Sequence, residues 1–457
     1  MTAFSSLPLS ENMLANLDSL EYTEMTPIQA QSLPLILAGK DVIAKARTGS
    51  GKTAAFGIGL LIPLNPRYFG CQALILCPTR ELADQVAKEI RRLARSASNT
   101  KVLTLCGGQP IGPQIGSLEH GAQIIVGTPG RILKHLAKGT LKLDGVNTLV
   151  LDEADRMLDM GFYDSIAEII KQTPRQRQTL LFSATYPAGI KKLAASFMRD
   201  PQHVEVEGQH DDSQIEQRFY EIKAEQRLDV LSKALACFQP QSSVVFCFTK
   251  LQCQQVADDL KHKGISAQAL HGDLDQRERD QVLIMFASRS ISVLVATDVA
   301  ARGLDIDNLD LVINYELARD AETHIHRIGR TGRAGEKGMA ISLVGPAETH
   351  RAQAIEALQG NPLNWHPATS LKAQNDQPLQ APMVTLCISA GRKDKLRPGD
   401  ILGALTGDAG LPGKKIGKIS ITDYQAYVAV ERAIAQQALQ RLSKGKIKGR
   451  SLRIRAL

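Results

Sequence analysis

"DVIAKARTGSGKTAAFGIGLLI", residues 41 to 62, decides the fold. "DVIAKA" leans apolar and reads as a buried strand, and "AAFGIGLLI" is helix-prone. Between them lies "ARTGSGKT", Ala46 to Thr53. Gly49 and Gly51 let the backbone curl so that its N–H groups face one point, at the start of a helix whose dipole favours an anion. Lys52 adds a charge suited to the β and γ phosphates of a nucleotide, and the Thr53 hydroxyl is suited to Mg²⁺. Arg47, Thr48 and Ser50 complete the loop, and Ala46 stands where the general pattern has its first glycine. A chance glycine-rich strand–helix turn is the competing explanation, and residues downstream weigh against it.

The strand–helix alternation continues outward from this loop. "CQALILC", "QIIVGT", "VNTLVLD" and "QTLLFSAT" are short apolar runs, as are "SSVVFCFT", "ISVLVATD" and "LDLVINYE" further on. Most are too apolar to have one wet face, which suits parallel strands covered by helices on both sides. The expected organisation is two tandem doubly wound α/β domains, residues 1–206 and 218–360. The polar stretch "EGQHDDSQIEQ" (207–217) reads as a linker, and so does "NPLNWHPATSLKAQNDQPLQAP" (361–382), with its four prolines.

Residues 383–457 differ in pattern and in charge. They carry 15 Lys and Arg against 5 Asp and Glu, a net +10, whereas the other 382 residues carry 40 against 42. A field localised in this way points to a polyanion, most simply nucleic acid. The order of strand-like and helix-like segments is βαββαβ, a small α+β domain. Its end, "RLSKGKIKGRSLRIRAL", holds seven basic residues and no acid, as a solvated tail would. Yet Leu452, Arg453, Ile454 and Arg455 alternate with the period of a half-buried strand.

Apolar residues make up 43% of the 457, enough for buried cores, and no apolar run approaches the roughly 18 residues of a membrane span. The start "MTAFSSLPLSENML" lacks a basic, then apolar, leader pattern. Seven scattered cysteines match no common zinc spacing and suit buried reduced thiols. A cytoplasmic protein with no membrane partner is expected.

Two further constellations carry chemistry. "LVLDEAD" places Asp152 and Glu153 just past a buried strand, where adjacent carboxylates are costly without a task. Beside a phosphate loop, Asp152 is suited to Mg²⁺, directly or through water, and Glu153 to orienting and deprotonating the attacking water. An acidic helix start is the plain alternative. "HRIGRTGRAG" (326–335) spaces Arg327, Arg330 and Arg333 by three. Guanidinium groups that close repel unless an anion sits among them, so this segment is expected to supply arginine fingers to a bound nucleotide; a basic face for nucleic acid alone is the alternative.

With "PTREL" (78–82), "TPGR" (128–131), "DEAD" (152–155), "SAT" (183–185), "ATDVAARGLDI" and "HRIGRTGR", the chain resembles the DEAD-box ATP-dependent RNA helicases over about 360 residues. The resemblance implies two RecA-like domains, with ATP and Mg²⁺ as ligands. "EYTEMTPIQ" is similar to the family's adenine-reading motif, with Gln29 at the base, Phe4 as the upstream aromatic, and Glu21 where the family usually has Gly. By the same resemblance Lys52 and Thr53 bind phosphate and Mg²⁺, and Asp152 and Glu153 support metal and water. Arg330 and Arg333 act on the nucleotide, with Asp305 near the ribose. Ser183 and Thr185 couple hydrolysis to RNA. Arg80, Gly108, Thr128, Arg131 and Thr297 lie along the RNA path with the "HGDLDQRERD" stretch, holding RNA of any sequence so that short duplexes are opened locally.

The C-terminal domain resembles an RNA recognition motif, and within the family it resembles the bacterial DbpA group. That implies recognition of a 23S rRNA hairpin and a role in assembly of the large ribosomal subunit. The usual signature strand exposes aromatics for base stacking; here Tyr427 keeps one such place, while Gln425 and Val430 occupy others. Candidate RNA contacts are Arg392, Lys393, Lys395, Arg397, Lys414, Lys415, Lys418, Tyr427, Lys446 and Lys448. A basic domain that raises affinity for every RNA is the alternative. A DNA-translocating ATPase and a non-enzymatic RNA clamp are the other classes weighed. "TPIQ" and the RNA-type domain argue against the first, and intact Lys52, Glu153 and Arg330 against the second. A monomer without DNA as a partner is expected.

Overall fold

The computed structural model describes residues 3–46, 49–97, 99–186, 188–206, 215–301, 308–332, 337–372, 378–408 and 410–457. Its first compact unit is built on a seven-stranded parallel sheet. The strands lie in the order Val102–Leu105, Ile124–Gly127, Ala73–Leu76, Thr148–Asp152, Gln178–Ser183, Val42–Lys45 and Gln202–Glu205. The expected strands sit in the middle of this order, buried along nearly their whole length. Their Val, Leu and Ile residues feed core clusters on both faces, which is why they read as unbroken apolar runs.

The second unit repeats the plan. Its sheet runs Ala267–Leu270, Val293–Thr297, Ser243–Cys247, Leu311–Asn314, Gly338–Val344, Ile215–Glu221 and Trp365–His366, all parallel. Counted within each sheet, both show the order third, fourth, second, fifth, sixth, first, seventh. Two doubly wound domains of one topology are therefore present. All seven cysteines are free and six are buried. Among the described residues, no helix is long and apolar enough to cross a membrane.

The described parts of the two segments expected as linkers, residues 215–217, 361–372 and 378–382, belong to the second unit, and the rest of both segments lies outside the described residues. Residues 215–217 already belong to a strand. Trp365 and His366 pair with Phe219 and Tyr220 at the sheet edge. Leu363, Leu371, Leu379 and Ala381 are buried, and Ser266 accepts from Ala381 N through its hydroxyl while its own N–H donates to Leu379 O. Apolar residues spaced between the prolines fasten this run to the domain.

The C-terminal module is a four-stranded antiparallel sheet in the order Ile416–Ile421, Ala426–Glu431, Met383–Ile388, Ile454–Ala456. The helices Pro398–Gly403 and Ala435–Lys444 complete the βαββαβ order. The closing stretch ends in an edge strand paired to Leu386–Ile388, and Leu452 and Ile454 pack on the module's core. The strand alternative therefore describes this end.

One sheet face, bearing Leu386, Ile388, Ala426, Val428 and Val430, covers the module's own core. The other, bearing Thr385, Cys387, Tyr427 and Ala429, is also buried. It meets the second doubly wound domain. Thr385 Oγ1 lies 3.1 Å from Ser288 Oγ and 2.7 Å from Ser290 Oγ, Arg455 donates to Gln281 Oε1 at 3.2 Å, and Met383 N donates to Arg289 O. The three hydroxyls satisfy one another in a dry seam, where an unpaired one would cost about 1–3 kcal/mol.

Below the second sheet, His324 is fully buried; burial first, and then the Arg327 charge, lower its pKa to about 3. It stays neutral in the fold, so below its ordinary value near 6.5 only the unfolded chain gains its proton. Stability therefore falls as pH drops through that value, by about 1 kcal/mol from this group between pH 7 and 5.5. Urea midpoints of wild type and His324→Gln at the two pH values check this: the variant loses that share of the pH dependence, and equal losses would mean that the ring takes up its proton in the fold.

Candidate nucleotide and RNA sites

The loop after Val42–Lys45 turns through Gly49 (φ 83°) and Gly51 (φ 89°) into the helix Lys52–Leu61. Positive φ at Gly51 is needed to start that helix here, and a Cβ there would lie 2.6 Å from Gln29 Nε2. Ala46 N donates to Ser183 O, tying the loop to the neighbouring strand end. Arg47 and Thr48 lie outside the described residues. Thr53 follows Lys52 in the first helical turn, half-buried.

Lys52 Nζ stands 3.8 Å from Asp152 Oδ1, both side chains almost fully buried, and neither atom has a hydrogen-bond partner. A buried ammonium and a carboxylate oxygen left without hydrogen bonds are expensive. Burial pushes the Asp152 carboxyl up to about 6, against the pull of the Lys52 charge. These orphaned atoms beside a curled loop at a helix start fit a polyphosphate.

Glu153 sits beyond the strand in the left-handed region (φ 53°), buried, with Oε2 accepting from Arg156 Nη1 at 2.7 Å. Asp155 Oδ2 accepts from Ala184 N, Thr185 N and Thr185 Oγ1, and Asp155 N donates to Ser183 Oγ. Burial alone would raise the Asp155 carboxyl; the Thr185 N–H and the Lys52 charge bring it below the usual range. Ser183 and Thr185 thus join the "DEAD" turn through one carboxylate. The i, i+3 spacing is the sole sequence signal for the Arg156 contact with Glu153.

Gln29 is buried and spoken for on both sides. Its Oε1 accepts from Thr26 N and its Nε2 donates to Gly51 O at 3.1 Å, linking the adenine-type motif to the phosphate loop. Phe4 is buried edge-on to Tyr22, with ring centroids 6.2 Å apart. Tyr22 donates to Glu89 at 2.6 Å. Glu21 has φ 64°, which explains a family preference for Gly there and costs a residue with a Cβ about 1–2 kcal/mol.

A second constellation lies at other strand ends of the first sheet. The Arg80 guanidinium covers Gly107 and Gly108, and a Cβ on Gly108 would lie 1.5 Å from Arg80 Nη1. Arg131 donates to Gln114 Oε1 at 2.8 Å and to Gln109 O at 2.9 Å, and Thr128 caps the helix Pro129–Ala137. "PTREL", "GG" and "TPGR" therefore form one patch of cationic and backbone groups, suited to phosphates and sugars rather than bases.

In the second unit, Arg327 is buried and fully engaged. It grips Asp298 with two hydrogen bonds (2.6 and 2.7 Å), donates to Asn314 Oδ1 and Glu316 O, and lies over the Phe246 ring. The expectation that repulsion among three arginines calls for a bound anion is corrected here: at Arg327 the chain's own Asp298 balances the charge. Arg330 is buried, Thr297 closes its strand and accepts from Ala300 N, and Arg333 and Asp305 lie outside the described residues.

The C-terminal candidates divide. Arg392 and Lys393 sit at the tip 422–425, where their N–H groups donate to Thr422 O and Asp423 O; Lys395 and Arg397 follow them in the chain, and Lys448 Nζ donates to Lys395 O. Lys414 and Lys415 lie just before Ile416–Ile421, at its far end, about 20 Å away for a six-residue strand, and Lys418, inside the strand, about half that distance. Lys446 is exposed near the C-terminus of the last helix. Tyr427 is corrected: only 3% exposed, its hydroxyl donating to Gln425 at 2.6 Å, it faces the charges of Asp280 and Arg277 across the seam and offers no ring to RNA.

Together these features define a nucleotide-hydrolysing RNA helicase core with an appended RNA-binding module. Residues 26–193 match the DEAD/DEAH box helicase family, 226–335 the helicase conserved C-terminal domain, and 385–456 the DbpA RNA binding domain. The chain belongs to the DEAD-box ATP-dependent RNA helicases, a family of RNA-dependent ATPases. It is 56% identical to the ATP-dependent RNA helicase DbpA of Escherichia coli over the full length of both chains. It is 46% identical to the DEAD-box ATP-dependent RNA helicase CshA of Bacillus subtilis over 77% of this chain and 72% of that protein. Among solved structures it resembles S. cerevisiae Dbp5 bound to RNA and ADP BeF3, with TM-score 0.74, 31% identity, and coverage of 80% of this chain and 96% of that one.

Proposed function

We propose that this helicase opens or remodels short RNA duplexes and is brought to 23S rRNA by its C-terminal module, acting in the cytoplasm during assembly of the large ribosomal subunit. The observation that carries the reading is the match of residues 385–456 to the DbpA RNA binding domain, in the part of the chain that holds its net positive charge. Lys52 holds the ATP phosphates. Thr53 and Asp152 hold Mg²⁺, partly through water, and the orphaned Asp152 oxygen beside Lys52 supports that fit. The cation neutralises phosphate charge. Glu153 orients and deprotonates the attacking water, Arg330 and Arg333 stabilise the charge that builds during hydrolysis, and Ser183 and Thr185 link hydrolysis to RNA. Arg80, Gly108, Thr128, Arg131 and Thr297 grip the RNA backbone.

The buried Tyr427 favours a second reading, in which the module raises affinity for all RNA without choosing. Steady-state ATPase assays with 23S rRNA, 16S rRNA, poly(A) and single-stranded DNA separate the two. The first reading expects stimulation at far lower concentration by 23S rRNA and none by DNA; equal half-maximal concentrations for all RNAs would overturn the targeting.

A further inference from the structure

With its usual stacking face buried against the neighbouring domain, the module has an aromatic ring elsewhere that is built to stay in water. Tyr424, at the tip between Ile416–Ile421 and Ala426–Glu431, is 59% exposed. Its ring carries Lys393 Nζ 4.4 Å from the centroid, and the same ammonium donates to the Tyr424 hydroxyl at 2.5 Å.

The tip is held from both sides. Within it, Thr422 N and Oγ1 both donate to Gln425 O, and Gln425 N donates to Thr422 Oγ1. From outside, Arg392 N and Lys393 N donate to Thr422 O and Asp423 O, and Arg392 Nη2 donates to Ile421 O at 3.2 Å. A ring on a pinned turn loses little freedom when a ligand settles on it.

The surroundings suit a nucleotide. Arg392 is largely exposed; besides its hydrogen bond to Ile421 O, its guanidinium has a weak ionic contact with Asp423 at 3.8 Å. Lys395 and Arg397 follow at the surface. Asp394, Asp400 and Asp423 are the opposing charges in the group, and Arg392, Lys393, Lys395 and Arg397 outnumber them. An exposed aromatic ring among exposed cations matches the combination by which proteins hold unpaired nucleotides: stacking on the base, charge on the phosphates.

We propose that Tyr424, backed by Lys393 and flanked by Arg392, is a stacking site for an unpaired RNA base, and that it takes over in this module the task of the buried sheet face. The inference rests on the module's binding RNA, not on which RNA it chooses.

The test uses the full chain without nucleotide, titrated with a 23S rRNA transcript and with poly(U) at two salt concentrations. Tyr424→Ala weakens 23S rRNA binding about 5- to 150-fold, the span of one lost base stack, and leaves the salt dependence unchanged. Tyr424→Phe stays within about threefold of wild type, because the ring is kept. Lys393→Gln lowers the slope of log affinity against log salt by about 0.7–0.9, one lost phosphate contact. Unchanged affinity for both RNAs in Tyr424→Ala, at an unchanged melting temperature, overturns the proposal; so does an equal loss in the Ala and Phe variants. If wild type shows no preference for 23S rRNA while Tyr424→Ala still weakens binding to both RNAs, the rRNA targeting falls and the stacking site stands.

Discussion

Glu153→Gln is expected to bind ATP as wild type does and to hydrolyse it about 100- to 10,000-fold more slowly, the share usually supplied by a positioned general base. The substitution keeps the shape of the side chain, and an amide oxygen can still accept from Arg156, so the turn at φ 53° is preserved. What is lost is the capacity to take a proton from water. Lys52 and Asp152 are untouched, so nucleotide affinity is retained. A nucleotide titration together with steady-state ATPase in saturating RNA measures both quantities. Turnover within tenfold of wild type would take Glu153 out of the chemistry and leave its carboxylate a structural group that holds Arg156.

The other large effect falls on stability. Arg327→Ala removes a guanidinium held by Asp298, Asn314 and a main-chain carbonyl between two phenylalanine rings. Breaking a buried pair strands its partner, at about 3–5 kcal/mol; Asp298 is about one-fifth exposed, so the lower end applies, about 3 kcal/mol. The second domain is then expected to unfold at distinctly lower urea concentration, while the first, with a separate core, is not. Unfolding followed by a probe in each domain reads this directly. A wild-type midpoint in Arg327→Ala would mean that solvent or a neighbouring cation satisfies Asp298, and would restore Arg327 to the pool of ligand-facing arginines.

The parallel sheets were legible because their strands are buried on both faces and therefore show no alternation. The phosphate loop was legible because its chemistry is local: two glycines, a lysine and a threonine within five positions. What escaped was non-local. Asp298, the partner of Arg327, lies 29 positions away, so a periodicity of arginines alone suggested three free charges. Arg156, three positions after Glu153, is a contact that the pair Asp152 and Glu153 does not announce. Tyr427 is a candidate RNA contact through the resemblance to an RNA recognition motif, whose signature strand exposes its aromatics on a wet face. A signal against that was present in "AYVAV", five apolar residues in a row, where such a sheet should alternate. Glu21 was noted only as a departure from a family habit, and its left-handed backbone supplies the reason for the habit.

The seam of Ser288, Ser290 and Thr385 bears on how such a protein can change over generations. A module hung on a loose tether can be traded between helicases as a cassette, since nothing else must travel with it. Here the cassette has no clean edge. Transplanting residues 383–457 to another core would leave Thr385, Cys387 and Tyr427 facing water, and would leave two serines of the donor surface without their partner. The helix Gln276–Ala287 and the turn after it are thus heritable parts of the C-terminal module, although they lie about a hundred residues before it. Substitutions on the two sides of the seam are bound to drift together.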